Sequence, residues 1–385
     1  MINPTRICTF LLAASSFVLS LPSTFDTELS QPQCRCFPGD ECWPNQSNWQ
    51  TFNATVKGRL IDTTPIGSVC HGSTFNSELC SALRTNYNDA EVHYQSSSSV
   101  MAPFWANRSC DAFNSQEDRC IKGTYLQYAV KVETTADVVS TIKFATKRNI
   151  RLVIRNTGHD YLGKSTGAGA LGLWMHHLKS FDVLPYRSKW HKGKAIKLGA
   201  GMLSVDATAE AHKHGLVIVG GNCPSVGLAG GYTQGGGIGP LTSRYGFGAD
   251  QVLEWEVVTV DGKVVRASRD KNSDLYWALS GGGGGTYGIV VSMTVKAYPE
   301  ERAAAASLTF SALNTTQDRF YEAVEAFHSV LPALSAAGGV SIYVVQSIGF
   351  GMTPAMLPGG TKEQLDKIFC DVRTKLQALN ISYGK

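Results

Sequence analysis

Two glycine-rich loops constrain the fold of this 385-residue chain more than any other feature. The first, residues 155–172, contains five glycines, and the second, residues 220–239, contains nine glycines and Cys223. Each loop follows a short apolar segment that predicts a β-strand. Because glycine lacks a Cβ atom, backbone N–H groups in such loops can approach an anionic ligand closely. The two loops therefore predict a binding site for a phosphate-bearing cofactor.

The first loop also carries side chains suited to an anion. Arg155 and Lys164 can neutralise its charge, and Ser165 and Thr166 can donate hydrogen bonds to it. The glycine spacing at 167–172 matches the GxGxxG dinucleotide pattern. That pattern requires a strand directly before it and an acidic residue about twenty positions later, and neither condition is met. A nicotinamide dinucleotide site is therefore disfavoured.

Composition narrows the class of protein. Hydrophobic residues make up 43% of the chain and charged residues 17%, which is typical of a globular protein with a large core. The net charge is +4 and no block of like charges occurs, so no nucleic-acid partner is expected. The length predicts two or three domains.

Residues 1–20 are predicted to form a secretory signal peptide. Arg6 supplies its positive charge, and residues 7–21 form an apolar run that is too short to span a bilayer. Cleavage is expected near Ser20, and a buried first helix is the alternative interpretation. No later segment is apolar enough to predict a membrane span.

Cysteine usage agrees with export to an oxidising compartment. Of ten cysteines, seven lie between Cys34 and Cys120, a density typical of disulfide-stapled secreted domains. Cys70–Cys80 and Cys110–Cys120 are candidate pairs, although spacing leaves the connectivity open. A zinc site is the disfavoured alternative, because CxxC pairs and a paired histidine spacing are absent.

The sequence also contains five Asn-x-Ser/Thr sequons, which arise by chance as well as by selection. In a secreted chain they are candidate sites of surface glycosylation. They begin at Asn45, Asn53, Asn107, Asn314 and Asn380.

Periodicity predicts two α/β lobes within residues 121–299. In the first lobe, strands over 125–132 and 150–155 flank a helix that begins with a Thr134–Asp137 capping box. In the second lobe, Ser204 caps a helix, and residues 252–267 form a hairpin around a two-residue Asp-Gly turn. Residues 21–120 show little periodicity and are interpreted as a loop-rich, disulfide-rich lead-in.

The pattern changes again after residue 299. Strands are predicted over 305–310 and 340–348, and helices over 317–331 and 362–379. This order predicts the start of an α+β domain at residues 300–385. The five consecutive glycines at 281–285 lie before it, and a flexible linker is the alternative to an ordered motif there.

The two loops resemble the FAD-binding domain of the vanillyl-alcohol oxidase and p-cresol methylhydroxylase (PCMH) superfamily, in particular its fungal berberine-bridge-enzyme-like branch. The most specific segments are 155–165, 223–239 and 274–288. The resemblance implies an α+β fold with a two-lobed PCMH-type FAD-binding domain at 121–299. An incomplete α+β substrate domain would follow at 300–385.

The resemblance implies that FAD is bound covalently. In relatives, a histidine at the position of His159 bonds to the 8α-methyl group of the flavin ring. A cysteine in a Cys-Pro-Ser-Val-Gly motif, here beginning at Cys223, bonds to ring carbon 6. An ordinary loop histidine and a buried inert thiol are the alternatives.

The resemblance assigns the FAD-binding residues to three segments. In the first loop they are Arg155, Asn156, Thr157, Gly158, His159, Asp160, Gly163, Lys164 and Ser165. In the second loop they are Cys223, Pro224, Ser225, Val226, Gly227, Gly230, Gly231, Gln234, Gly235, Gly236 and Gly237. Near the adenine end they are Gly288 and Ile289. No metal ligand is assigned. No catalytic base is assigned either, since the base of the relatives lies further along their chains.

The activity implied by the resemblance is hydride transfer from a small-molecule substrate to FAD, followed by reoxidation by dioxygen. An intermediate of fungal secondary metabolism is the expected substrate. A carbohydrate oxidase and a shortened, non-catalytic flavoprotein are the alternatives.

Overall fold

The computed structural model describes residues 34–384, and the predicted signal peptide with Cys8 lies outside these residues. The helices are α1 (Gln46–Thr55), α2 (Ser77–Thr85), α3 (Ala90–Tyr94), α4 (Thr135–Lys147), α5 (Ser204–Lys213), α6 (Thr242–Tyr245), α7 (Ser273–Leu279), α8 (Gln317–Ala336), α9 (Lys362–Ile368) and α10 (Cys370–Ala378). The strands are β1 (Leu60–Asp62), β2 (Tyr128–Lys131), β3 (Leu152–Arg155), β4 (Leu171–Trp174), β5 (Phe181–Arg187), β6 (Lys192–Gly199), β7 (Leu216–Val217), β8 (Val252–Val258), β9 (Val264–Ala267), β10 (Ile289–Lys296), β11 (Tyr298–Pro299), β12 (Ala303–Ser311), β13 (Val340–Gln346), β14 (Gly349–Pro358) and β15 (Tyr383–Gly384).

The first lobe is a four-stranded sheet in the order β1-β2-β4-β3. Strands β2 and β3 run parallel to β4, which lies between them, and β1 pairs antiparallel with β2. Helix α4 connects β2 to β3, and its predicted Thr134–Asp137 capping box is confirmed. Because β4 begins at Leu171, the glycines at 167–172 lead into a strand and not into a helix. This order supports the exclusion of a nicotinamide site.

The second lobe is a five-stranded antiparallel sheet in the order β5-β6-β10-β8-β9. The predicted hairpin is confirmed as β8 and β9, and Gly262 in its turn has a φ of +78° that favours glycine. The periodicity does not predict β5, which contains Pro185 and lies at the edge of the sheet. An edge strand tolerates proline because one of its sides needs no backbone donor.

Strand β10 contributes side chains to the cores of both lobes. Ile289 and Val291 pack in the core of the first lobe, whereas Val290, Met293 and Val295 pack in the core of the second. Simple alternation would send Val291 and Met293 to the same side. The pairing of β10 with β8 shifts register after Val290, and such a bulge changes the phase of the alternation. One strand can therefore join two cores.

The lead-in contains more regular structure than its sequence predicts. Three helices, α1 to α3, lie within residues 21–120, and β1 extends the first sheet. In α1, Trp49 and Phe52 are buried and pack against Tyr128 and Phe144. The loop-rich interpretation is wrong for these segments. Helices this short give weak periodicity, and tertiary packing provides most of their stability.

The cysteines of the lead-in form disulfides. The predicted pairs Cys70–Cys80 and Cys110–Cys120 are confirmed, and Cys36–Cys42 is a third. Within residues 34–384, the one group with metal-ligand proximity is Cys36, Asp40 and Cys42. Its two sulfur atoms are bonded to each other, so this group does not favour the zinc alternative.

The C-terminal region forms an antiparallel sheet in the order β13-β14-β12-β15, covered by α8, α9 and α10. The strand β14 has no predicted counterpart, because its glycines and prolines weaken the strand pattern. The single helix predicted over 362–379 is wrong, since α9 and α10 meet at Phe369, which is buried in the core. In the described part of the chain, no helix has both the length and the apolar character that a membrane crossing requires.

Phe327 provides a test of this C-terminal core. Its fully buried ring packs against Phe350 and Phe369. Phe327→Ala should lower the free energy of unfolding by ~3–5 kcal/mol, because it removes these contacts and leaves a cavity. Urea unfolding measures the change. The control is Tyr321→Ala on the same helix, where half of the side chain is exposed and a loss below ~1 kcal/mol is expected. Equal effects of the two substitutions would contradict the assigned core.

Candidate functional site

The side chains of His159 and Cys223 meet although 64 positions separate them in the chain. His159 Nε2 lies 2.8 Å from Ser225 Oγ and 4.0 Å from Cys223 Sγ. Cys223 Sγ in turn lies 3.6 Å from Ser225 Oγ. The structure therefore brings the two glycine loops together at a histidine, a hydroxyl and a thiol.

The environment of His159 keeps its ring neutral. Burial lowers the pKa of His159 below its ordinary value, and the nearby ring of His93 shifts it in the same direction. An imidazole with such a pKa is uncharged at neutral pH, and one of its nitrogens then carries a lone pair. The ring is thus in the state that a nucleophile or a hydrogen-bond acceptor requires.

The Cys223 loop is held by the beginning of α5. The backbone N–H of Ser204 donates to the carbonyl of Val226 at 2.9 Å, and that of Val205 donates to the carbonyl of Pro224 at 3.1 Å. These N–H groups belong to the first turn, which has no partners inside the helix. The predicted capping role of Ser204 is wrong, since the N-cap residue is the preceding leucine and no side chain caps the helix.

Asp160 organises the first loop internally. One carboxylate oxygen accepts a hydrogen bond from the backbone N–H of Leu162 at 3.0 Å. The other accepts from the backbone N–H groups of Lys164 and Ser165. The glycine content of this loop predicts backbone N–H groups that are available to an anionic ligand. Three of these N–H groups are instead bonded within the loop. The side chain of Asp160 acts here as the anion.

Arg155 is also directed into the protein. Its guanidinium is fully buried and donates to the carbonyls of His93 and Ser96 at 2.8 and 2.9 Å. Burial lowers the pKa of Arg155 to about 9. The expectation that the Arg155 side chain neutralises a bound anion is corrected, because these partners tie it to the lead-in. Lys164 is exposed and remains the candidate cation of this loop.

Asn156 lies between the two loops. Its Nδ2 donates to the carbonyl of Ala200 at 2.7 Å. A Cβ atom on Gly227 would lie only 2.2 Å from this Nδ2, and one on Gly230 would lie 3.0 Å from it. Glycine is thus required at Gly227 by the approach of another side chain. The Oδ1 atom of Asn156 is buried and has no partner among the described residues.

Gln234 connects the second loop to the five-glycine run. Its backbone carbonyl accepts hydrogen bonds from Gly281 and Gly283 at 3.0 and 2.9 Å. Its side-chain Nε2 donates to the carbonyl of Ala229, while Oε1 is buried without a partner in the described part of the chain. A buried acceptor without a partner costs free energy unless a ligand or water supplies a donor.

The five-glycine run is an ordered element and not a linker. A Cβ atom on Gly284 would lie 3.2 Å from the Cα atom of Gly231, so two backbones approach closely there. Close by, Lys164 Nζ donates to Thr286 Oγ1 at 2.8 Å. The run therefore brings a third segment to the two loops.

The remaining predicted residues divide into buried and accessible groups. The buried residues of the first loop are Thr157, Gly158 and Ser165. Those of the adenine-end segment are Gly288 and Ile289. In the first loop, Gly163 packs against the ring of Trp105. In the second loop, Gly231 and Gly235 are exposed, and Gly236 and Gly237 have φ values of +106° and +79°. A site with this many close backbone approaches suits an extended, multiply hydrogen-bonded ligand.

These features fit FAD. The neutral His159 and the accessible Cys223 supply two nucleophilic atoms at one place. The acceptors Asn156 Oδ1 and Gln234 Oε1 lack donors among the described residues, and FAD carries one ring N–H and several hydroxyl groups that can donate. Lys164 provides an exposed cation for a diphosphate.

The lead-in contributes residues that the sequence did not assign to the site. The side chain of His93 is held by Ser99 Oγ and the carbonyl of Tyr87, and its main chain accepts from Arg155. The ring of Trp105 packs against Gly163. No motif or periodicity marks these residues, because their role arises from packing against a loop far along the chain.

Comparison with known proteins defines the class. A family model described as an FAD binding domain matches residues 126–268. The VAO-type flavoprotein MtVAO615 from Myceliophthora thermophila C1 has a similar crystal structure, with a TM-score of 0.88 and 42% identity. That match covers 91% of this chain and 65% of the other.

Curated relatives agree with this class. The FAD-linked oxidoreductase sor8 of Hypocrea jecorina (strain QM6a) is 54% identical over 92% of this chain and 62% of its own length. The FAD-linked oxidoreductase sthB of Phaeosphaeria nodorum is 44% identical over 74% of this chain and 91% of its own length. The chain thus spans about three fifths of the length of sor8.

The fold and the matched domain define an FAD-binding α+β protein of PCMH type. The chain belongs to the vanillyl-alcohol oxidase and p-cresol methylhydroxylase superfamily, whose fungal members include FAD-linked oxidoreductases.

Asp160 provides a test of the loop architecture. Asp160→Ala should release the N–H groups of residues 162, 164 and 165, since it removes their acceptor. Their hydrogen exchange should become about fivefold to tenfold faster, as expected for the loss of about 1 kcal/mol per bond. Amide exchange with peptide mass spectrometry measures this. Asp182→Ala, on the exposed edge strand β5, is the control and should leave this loop unchanged. Unchanged exchange in Asp160→Ala would contradict the role of the carboxylate.

Proposed function

We propose that this chain acts as an FAD-linked oxidoreductase in which His159 and Cys223 both bond covalently to the flavin. The substrate is a small organic molecule that loses a hydride to the flavin, and dioxygen accepts the electrons afterwards. Membership of the superfamily supports the redox class. Because the chain spans about three fifths of the length of sor8, the activity of the whole protein is part of this proposal.

The observation that carries the proposal is the proximity of two nucleophiles. His159 Nε2 and Cys223 Sγ lie 4.0 Å apart, although they come from different loops. The two flavin positions that relatives use, the 8α-methyl group and carbon 6, belong to the same benzenoid ring. A single ring edge at this point can therefore reach both side chains.

The chain's own residues have separate tasks in this proposal. His159 and Cys223 fix the position and orientation of the ring, which removes the entropy that a freely dissociating cofactor would retain. Asn156 and Gln234 offer buried acceptors to N–H and hydroxyl donors of the cofactor, and Lys164 pairs with the diphosphate. The backbone at Gly288 and Ile289 is assigned to the adenine end by the family resemblance. When bound, FAD supplies the hydride acceptor and the reaction with dioxygen.

The substrate is proposed to come from fungal secondary metabolism. The relatives sor8 and sthB are named FAD-linked oxidoreductases, and both come from fungi. Two-electron oxidation of a C–H bond next to an O–H or N–H group is the chemistry that this cofactor supports.

The double attachment can be tested by acid precipitation of the purified protein. His159→Ala and Cys223→Ala should each retain flavin in the pellet through the surviving bond, because either bond alone resists acid. The double variant should release all flavin to the supernatant. Absorbance of the pellet and mass spectrometry of flavin-bearing peptides measure the result.

Cys370→Ala is the matched control for these variants, since Cys370 is also an exposed thiol outside the disulfides. It should leave the flavin-linked product of the His159 and Cys223 peptides unchanged. A wild-type pellet without flavin would refute both bonds. Complete release from His159→Ala would reduce the proposal to a single bond through His159.

Secretion and glycosylation are part of the proposal. Three disulfides in the lead-in support an oxidising compartment. Four of the sequon asparagines are exposed, namely Asn45, Asn107, Asn314 and Asn380. Asn53 is half-buried, and its Oδ1 accepts from the backbone N–H of Leu60.

Expression of the full chain in a fungal host tests these sites. The protein should appear in the medium. The four exposed asparagines should carry glycans, because an exposed amide is accessible to the transferase. Enzymatic deglycosylation should then convert these asparagines to aspartate. Occupancy at Asn53 should be lower because it is half-buried, whereas Asn45, whose Oδ1 accepts from the backbone N–H of Asn48, is exposed. Peptide mass spectrometry measures each site. Unmodified asparagines at all four exposed positions in secreted protein would contradict the proposal.

A further inference from the structure

The hydroxyl of Ser225 lies between the two proposed attachment residues. Its Oγ atom is 2.8 Å from His159 Nε2 and 3.6 Å from Cys223 Sγ. The side chain is buried, with 8% of its surface exposed. Of the two contacts of His159 Nε2, the one with Ser225 Oγ at 2.8 Å is much shorter than the one with Cys223 Sγ at 4.0 Å, so Ser225 is the contact that sets the tautomer of the ring.

Two arrangements of protons are possible along the hydrogen-bonded series of Cys223, Ser225 and His159. A serine hydroxyl donates one hydrogen bond and can accept others. When Cys223 is a thiol, its S–H donates to Ser225 Oγ, the hydroxyl donates to His159 Nε2, and the ring proton is on Nδ1. When Cys223 is a thiolate, the hydroxyl donates to Sγ, and Nε2–H donates to Oγ. Nδ1 then carries the lone pair.

The two arrangements differ by one proton. In the first, Sγ, Oγ and Nδ1 each carry a proton. In the second, Oγ and Nε2 each carry one, and a proton has passed to the solvent. Loss of that proton therefore produces a thiolate at Cys223 and a nucleophilic Nδ1 at His159 in the same step.

We propose that Ser225 is a positioning residue that couples the two attachment sites, so that ionisation of Cys223 and exposure of the His159 Nδ1 lone pair occur together. The inference rests on the proposed double attachment of the flavin. It explains why a hydroxyl lies between a histidine and a cysteine that are both expected to act as nucleophiles.

Three charged or titratable groups around this series of hydrogen bonds have partners of their own. His93, which lowers the pKa of His159, is held by Ser99 and by a backbone carbonyl, and burial lowers its own pKa. Asp160 accepts from backbone N–H groups of its own loop. Arg155 Nη2 donates to two lead-in carbonyls, whereas Nε and Nη1 are buried without a partner among the described residues. Ser225 Oγ, at 2.8 Å from His159 Nε2 and 3.6 Å from Cys223 Sγ, links the histidine to the thiol through shorter contacts than their direct 4.0 Å approach.

Thiol reactivity provides a test that does not depend on enzymatic activity. The full chain is produced under flavin limitation, and alkylation of Cys223 by iodoacetamide at pH 7 is followed by peptide mass spectrometry. Ser225→Ala should slow this alkylation about tenfold, since the thiolate loses a charge-assisted hydrogen bond. Ser225→Thr, which restores a hydroxyl, should recover most of the rate. Ser204→Ala is the control, because it removes another buried serine hydroxyl near the loop and should have no effect.

Two further measurements test whether ionisation of Cys223 is coupled to the tautomer of His159. Nitrogen NMR of the wild-type protein should show His159 changing from the Nδ1–H to the Nε2–H tautomer over the pH range in which Cys223 becomes reactive. This experiment needs no variant and remains informative if Ser225→Ala does not fold. After addition of FAD, Ser225→Ala should also accumulate acid-stable flavin several-fold more slowly than the wild type.

The outcomes separate this inference from the proposed function. A His159 that keeps one tautomer across this range, or a Ser225→Ala variant with wild-type alkylation, would overturn the role of Ser225. Covalent flavin at both residues with wild-type kinetics in Ser225→Ala would also overturn it, while leaving the double attachment intact. A wild-type protein without covalent flavin would refute the double attachment, and the NMR and alkylation results would still decide the coupling.

Discussion

The close approach of the two glycine loops is the constraint on which the rest of the site depends. Asn156 occupies the space where Cβ atoms of Gly227 and Gly230 would lie. Its side chain is anchored to Ala200, so it cannot move aside without losing that hydrogen bond. Only because these Cβ atoms are absent can His159 reach the hydroxyl and the thiol of the other loop. The position of the two candidate nucleophiles is thus decided by residues that carry no chemistry of their own.

Two charged residues of the first loop form hydrogen bonds with the backbone of the protein itself. Asp160 binds three backbone N–H groups, and Arg155 binds two carbonyls of the lead-in. The role of a charged side chain near glycines is therefore ambiguous in sequence. Backbone carbonyls can replace a phosphate as acceptors for a cation, and an anionic side chain can replace a phosphate as the acceptor for backbone N–H groups. The exposed Lys164 differs because its contact, the hydroxyl of Thr286, is neutral and leaves its charge available.

Structural features are predicted correctly from the sequence where the interacting residues lie close together along the chain. The Thr134–Asp137 capping box, the hairpin turn at Gly262 and the two short disulfide loops involve residues close in sequence, and all are confirmed. The strands β5 and β14 and the lead-in helices are held by partners far along the chain, so local patterns do not reveal them. Phe369 interrupts a helix that periodicity alone would continue, because its side chain packs into the C-terminal core.

The sequence by itself determined the family, the two glycine loops and the identity of the two candidate nucleophiles, since these depend on residue type and spacing. The tertiary structure decided that Ser225 lies between them and that Ser204 binds the Cys223 loop through its backbone. It also decided that the lead-in supports the first loop through Arg155 and Trp105. The physical reason is that hydrogen bonds and close packing depend on distances in space, which become fixed only when β3, β7 and the lead-in pack together.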